Sequence, residues 1–163
     1  MWKGKEKDMA DGKNIYIDMD GVLADFNSEP DGISRFAVES GFFKRLKALK
    51  KNCKALRELI ADGKHNIFIL SASPNDAADG DKLAWLKKHR IKLPDGHIIF
   101  CRNHEKKVDY MKTVDGTLFD DYGKNCMEWV DGKPNNSCWK VKGDGHLGLG
   151  FKIRLGKPDG KLI

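Results

Sequence analysis

Four acidic residues in two short clusters carry the first chemical suggestion. Asp18 and Asp20 stand one residue apart in "NIYIDMDGVLADF", directly after an apolar run, and Asp120 and Asp121 are adjacent in "TLFDD". Carboxylates this close repel one another. If both runs are strands of one parallel sheet, both pairs leave strand ends on the same rim, where open α/β sheets bind ligands. A hard divalent cation would relieve the repulsion. Mg²⁺ suits a few carboxylates completed by water and phosphate oxygens.

Competing explanations are weaker at these positions. Aspartate before glycine is a common turn pair, and "ADG", "PDG" and "VDG" recur in the chain. "DMDG" differs because it follows an apolar run directly and has a matching "DD" downstream. A calcium-binding helix–loop–helix needs glycine at the sixth loop position. Here Gly21 falls at the fourth and Asn27 at the tenth. No G-x-x-x-x-G-K-[ST] phosphate loop is present. A phospho-accepting receiver domain would place its acidic pair and its acceptor aspartate on different strands, so the D-x-D spacing does not fit one.

The elements that must position these residues are legible as an alternation. Apolar, β-rich runs at 14–18, 66–70, 97–101, 117–120 and 138–141 read as strands. The first three are nearly continuous, as in strands covered on both faces. Helical patterns lie between them. In "KNCKALRELIADG", Cys53, Leu56, Leu59 and Ile60 share a stripe, and Gly63 suits the C-terminal cap. "DGDKLAWLKKHR" carries Leu83 and Leu86, with Asp79 or Asp81 as the expected N-cap. "EKKVDYM" and "YGKNCMEWV" are shorter helical patterns. Strand–helix alternation argues for an α/β fold, a central parallel sheet flanked by helices. One domain is expected over residues 1–142. From Gly143 to Ile163 the tail is glycine-rich, and "KPDGK" predicts a turn in a C-terminal β-hairpin.

Composition sets further bounds. A chain of 163 residues can bury a real core. No apolar stretch approaches the ~20 residues that span a bilayer, and "MWKGKEKDMADGK" lacks a signal-peptide core. A cytoplasmic protein is expected, with no membrane partner. Cys53, Cys101, Cys126 and Cys138 form no C-x-x-C pair, so reduced thiols rather than a zinc site are expected. The net charge of +6 favours anionic partners, although the lysines are scattered as on solvated helix faces.

With the motifs in order, the sequence resembles the haloacid dehalogenase superfamily of phosphatases. It is most similar to the 5'(3')-deoxyribonucleotidase branch and its bacterial and phage relatives. "DMDGVLADF" resembles the first motif and "FILSASP" the second, with Ser71 in the Ser/Thr role at the end of the second strand. "GFFKRLKALKKNCKALREL" resembles the segment leading into that strand. "CRNHEKKVDYM" resembles the lysine-bearing third motif, with Lys107 in that role and Lys106 as the alternative. "LFDDY" resembles the acidic fourth motif.

The resemblance implies a Rossmann-like core and Mg²⁺-dependent hydrolysis of phosphomonoesters through an aspartyl-phosphate. Asp18 would be the nucleophile and Asp20 the general acid and base, with its backbone carbonyl also facing the metal. Ser71 would hold a phosphate oxygen, with Ser73 as a second contact or a turn residue. Lys107 would neutralise the transferring group. Asp18, Asp20, Asp121 and Asp120 would form the metal site, with Asp121 the direct ligand of the acidic pair and Asp120 acting through water or orienting its neighbour. Trp129 and Trp139 are expected in the core. A small phosphomonoester, a nucleotide first of all, is the implied substrate. The alternatives are a polynucleotide-end phosphatase and a non-catalytic phosphate- or metal-binding module.

One departure from that branch is visible. Its helical cap, which encloses the nucleobase, is replaced here by Asn27 to Ser40, "NSEPDGISRFAVES". That segment holds at most one short helix, a vestigial cap with Phe36 as its only aromatic residue. The catalytic set carries over; the means of nucleobase recognition does not.

Overall fold

The computed structural model describes residues 12–156. Five strands form one parallel sheet in the order β3-β2-β1-β4-β5. They are β1 (Asn14–Ile17), β2 (Asn66–Ser73), β3 (Ile98–Arg102), β4 (Thr117–Asp120) and β5 (Ser137–Lys140). The chain builds outward from β1 to β2 and β3, then returns to lay β4 on the other side of β1. The order therefore reverses beside β1, at the position where open α/β sheets hold ligands.

Both faces of the sheet are covered, which explains the unbroken apolar runs. Ile15 and Ile17 point into one core with Ile69, Phe119, Leu56 and Trp85. Tyr16 points into the other with Phe68, Leu70, Leu118 and Trp129. The helices are α1 (Gly32–Arg35), α2 (Lys50–Asp62), α3 (Asp76–Lys88), α4 (Gly123–Gly132) and α5 (His146–Leu155), joined by 3₁₀ turns at Phe43–Arg45 and Lys107–Tyr110. Among the described residues, no helix is long and apolar enough to cross a membrane.

The segment from Asn27 to Ser40 holds only the four-residue α1. Arg35 fixes it by bonding Glu29, Glu39 and the carbonyl of Pro30. Phe36 does not stand free. It packs edge-on against Phe26 and Phe43, with ring centroids 6.1 and 6.3 Å away.

Four expectations are corrected. The C-terminal run is a helix rather than a hairpin strand: Leu147, Gly150 and Phe151 form one buried stripe of α5. Glycine is a poor helix former, but tertiary packing decides here. A Cβ at Gly150 would overlap the Trp139 ring, so glycine lets the helix come close. The "KPDGK" turn lies outside the described residues. Helix α3 starts earlier than expected. Its cap is Asn75, whose Oδ1 accepts from the Ala78 N–H at 2.9 Å. Its buried stripe holds Lys82, Trp85 and Leu86, while Leu83 is half exposed. Finally, not all thiols are reduced. Cys126 on α4 and Cys138 on β5 form a disulfide, whereas Cys53 and Cys101 are free and buried.

Asn52, wholly buried on α2, ties the fold together. Its Nδ2 donates to the carbonyls of Val22 and Gly143 at 2.8 and 3.1 Å, and its Oδ1 accepts from the N–H groups of Gly145 and Leu147 at 2.8 and 3.1 Å. One side chain thus joins the loop after β1 to the start of α5. Asn52→Ala should destabilise the protein by more than the ~1–3 kcal/mol of a single orphaned buried group. A urea unfolding midpoint measures this; an unchanged midpoint would contradict the assigned role.

Candidate active site

Asp18 follows the last residue of β1, and its N–H donates to the Phe119 carbonyl at 3.0 Å. That bond fixes the end of β1 against β4, one residue before Asp120. The chain then turns sharply, with the Met19 carbonyl accepting from the N–H groups of Val22, Leu23 and Ala24. Gly21 makes the turn with φ of 79°, and a Cβ there would overlap the Asp121 carboxylate. The glycine of "DMDG" therefore serves the site as well as the turn: a side chain would displace Asp121.

Asp18, Asp120 and Asp121 each place a carboxylate oxygen within 4.8 Å of the others, a set able to hold a metal ion. Asp20 is not part of this set; its side chain turns elsewhere. Burial pushes the Asp18 carboxyl well above its usual range, and the neighbouring Asp120 adds to the shift against the pull of Lys107. Burial also raises Asp121, partly offset by Asn27, whose Nδ2 donates to its Oδ2 at 3.2 Å. An all-oxygen donor set of three crowded carboxylates fits a hard divalent cation.

The two adjacent lysines after β3 have different surroundings. Lys107 is buried, with its Nζ 2.9 Å from Asp18 Oδ1 and 2.7 Å from Asp120 Oδ2. Burial works against its charge, but Asp120 and Asp18 prevail and hold its pKa above the usual lysine value. Lys106 is exposed. Asp120 is fully engaged. Its Oδ2 also accepts from Asn125 at 3.1 Å, and its Oδ1 accepts from the Tyr122 N–H at 2.9 Å. It is arranged to orient Lys107, whereas Asp121 is the more open of the pair.

Ser71 lies within β2 rather than at its end, because the strand runs on to Ser73. Both serines are buried, and Ser73 Oγ donates to the Asn75 carbonyl at 3.4 Å, a turn contact. Trp129 is a core residue and Trp139 packs against the core, as expected.

Sequence reasoning missed Lys82. From the middle of α3 its Nζ reaches Asp20 Oδ2 at 2.7 Å, Ser71 Oγ at 2.9 Å and the Ala72 carbonyl at 2.7 Å. The one available signal was its helical spacing from Trp85 and Leu86, which puts it on their buried face. Asn27 and Asn125, which steady the two fourth-motif aspartates, were also missed.

This sheet order, with acidic residues at the ends of β1 and β4 beside a buried lysine, is a Rossmann-like α/β core, and the family match makes it a haloacid dehalogenase-like protein of the phosphatase type. The family model for 5' nucleotidase, deoxy (pyrimidine), cytosolic type C protein matches residues 27–133, and the chain belongs to that family. No curated protein sequence matches the chain. In fold it is similar to a chain of the solved "Structure of Pnkp1/Rnl/Hen1 complex", with a TM-score of 0.59 and 16% identity. That match covers 80% of this chain and 46% of the other, so this chain spans less than half of its length.

The raised carboxyls give a pH prediction. Burial raises the Asp18 and Asp121 carboxyls above the ordinary carboxylate range, so a cation held by their oxygens would compete with protons. A divalent cation binding there should therefore release protons, more of them as the pH falls towards the raised values. Calorimetry in buffers of different ionisation heat would read this. An enthalpy independent of buffer throughout the acid range would contradict it.

Proposed function

We propose that the protein is a Mg²⁺-dependent phosphomonoesterase that works through an aspartyl-phosphate on Asp18, with nucleotides as its substrate class. The observation that carries this reading is the buried Lys107 bridging Asp18 and Asp120 beside Asp121, within a nucleotidase family. A carboxylate needs no base to act as a nucleophile once ionised.

Asp18 would attack phosphorus while the bond to the ester oxygen breaks. Asp20 would give that oxygen its proton, releasing the alcohol. Water then attacks the aspartyl-phosphate, returns a proton to Asp20 and releases inorganic phosphate, restoring Asp18. Lys107, fixed by Asp120, would neutralise the transferring group, and the Ser71 hydroxyl would hold one of its oxygens. Asp18 and Asp121, with the Asp20 carbonyl, would hold Mg²⁺, which would supply the charge neutralisation that lets a carboxylate approach an anionic phosphate.

Asp18→Asn keeps the shape but removes the charge. It should abolish phosphate release while circular dichroism stays unchanged; near-wild-type turnover by the folded variant would refute the covalent route.

A polynucleotide end is the second reading, and the short cap favours it. Only α1 stands where an enclosing cap would be, and Phe36 is spent on Phe26 and Phe43 rather than offered to a base. Discrimination among nucleobases should accordingly be weak, below about 10³-fold in kcat/KM, or roughly 4 kcal/mol. A hydrolysis screen of mononucleotides and end-phosphorylated oligonucleotides, with and without Mg²⁺, compares the two readings. One mononucleotide preferred beyond that ratio would show that another part of the protein reads the base.

A further inference from the structure

Lys82 is wholly buried, and an ammonium has three protons to place. All three have acceptors: Asp20 Oδ2, Ser71 Oγ and the Ala72 carbonyl. The Phe43 ring lies 4.3 Å from the same nitrogen and closes one side. A buried ion pair is weak ground for stability, because an apolar side chain of similar size often serves the fold as well. What an apolar residue could not do is orient two polar side chains at once.

The two partners are those assigned to proton transfer and phosphate binding. Lys82 holds Asp20 by Oδ2. The other oxygen, Oδ1, is buried and has no hydrogen-bond partner among the described residues. Lys82 also uses the Ser71 oxygen as an acceptor. The Ser71 proton is left with only a long bond to the Ala72 carbonyl, 3.5 Å.

We propose that Lys82 is a positioning residue: it holds the Asp20 carboxyl through Oδ2 in place for proton exchange with the leaving oxygen, and turns the Ser71 O–H towards phosphate. The inference rests on the phosphomonoesterase reading above. Lys82 keeps its own three protons throughout. The proton that reaches the ester oxygen as the P–O bond breaks comes from Asp20.

The test separates the role of Asp20 from general damage. An alkoxide needs a proton to leave and p-nitrophenolate does not, and kcat/KM reports only the steps through departure of the leaving group. For Lys82→Met, kcat/KM should fall by about 10²-fold on a deoxynucleoside monophosphate and by less than about tenfold on p-nitrophenyl phosphate. In an Asp20→Asn background, adding Lys82→Met should cost the nucleotide reaction little more, because the proton donor is already gone. Equal losses on both substrates, or no loss on either, would overturn the inference. If Lys82→Met fails to fold, Lys82→Gln keeps one donor towards Asp20. It should show the same selectivity with a smaller loss, and an unselective loss would again overturn the proposal. A wild-type protein inert on both substrates would instead bring down the phosphomonoesterase reading itself.

Discussion

Like charges forced together in a buried place govern this structure. Asp18, Asp120 and Asp121 converge at the carboxyl ends of β1 and β4, where the strand order reverses. Burial and mutual repulsion both push Asp18 towards its neutral form. The surroundings answer this strain in several ways. Lys107 stands between Asp18 and Asp120, Asn125 and the Tyr122 N–H share the load on Asp120, and Asn27 steadies Asp121. Gly21 leaves the space that Asp121 occupies. An arrangement that concentrates negative charge and then partly relieves it is costly as scaffolding and useful as a site, where perturbed groups cluster.

The two buried lysines divide the rim between them. Lys107 joins the acidic cluster, and Lys82 joins Asp20 to Ser71 on the side of β2. Asp18 and Asp20 are two residues apart in sequence, yet each has its own cation. That separation gives two similar side chains different surroundings, the condition under which two carboxylates take different roles.

Around this rim the protein is economical. The segment from Asn27 to Ser40 is held by Arg35 and an aromatic cluster rather than built into an enclosing layer. The start of α5 is fastened by Asn52 to the loop after β1, close glycine packing seats that helix, and the Cys126–Cys138 disulfide joins α4 to β5. Asn125, next to Cys126, is one of the groups that hold Asp120. The supports of the fold and of the site therefore overlap on α4.

The sequence by itself determined the strands, their parallel arrangement and the two acidic pairs, because each is written locally. Continuous β-branched runs between amphipathic helices leave few alternatives, and an aspartate directly after such a run must sit at a strand end. The lack of a helical layer between Asn27 and Ser40 was also legible, since fourteen residues cannot build one. Tertiary structure decided the rest. Lys106 and Lys107 are adjacent and chemically identical, and only the path of the chain after β3 buries one of them. Lys82 reads as one more surface lysine until α3 is set against Asp20 and Ser71, sixty-two and eleven residues away. The glycines of α5 read as turn formers until Trp139 fills the space that side chains would have taken. The disulfide pairing was hidden for the same reason, since twelve residues of sequence separate cysteines that the α4–β5 connection brings together. Spacing along the chain reports what one element does alone; burial, pairing and close approach depend on what packs against it.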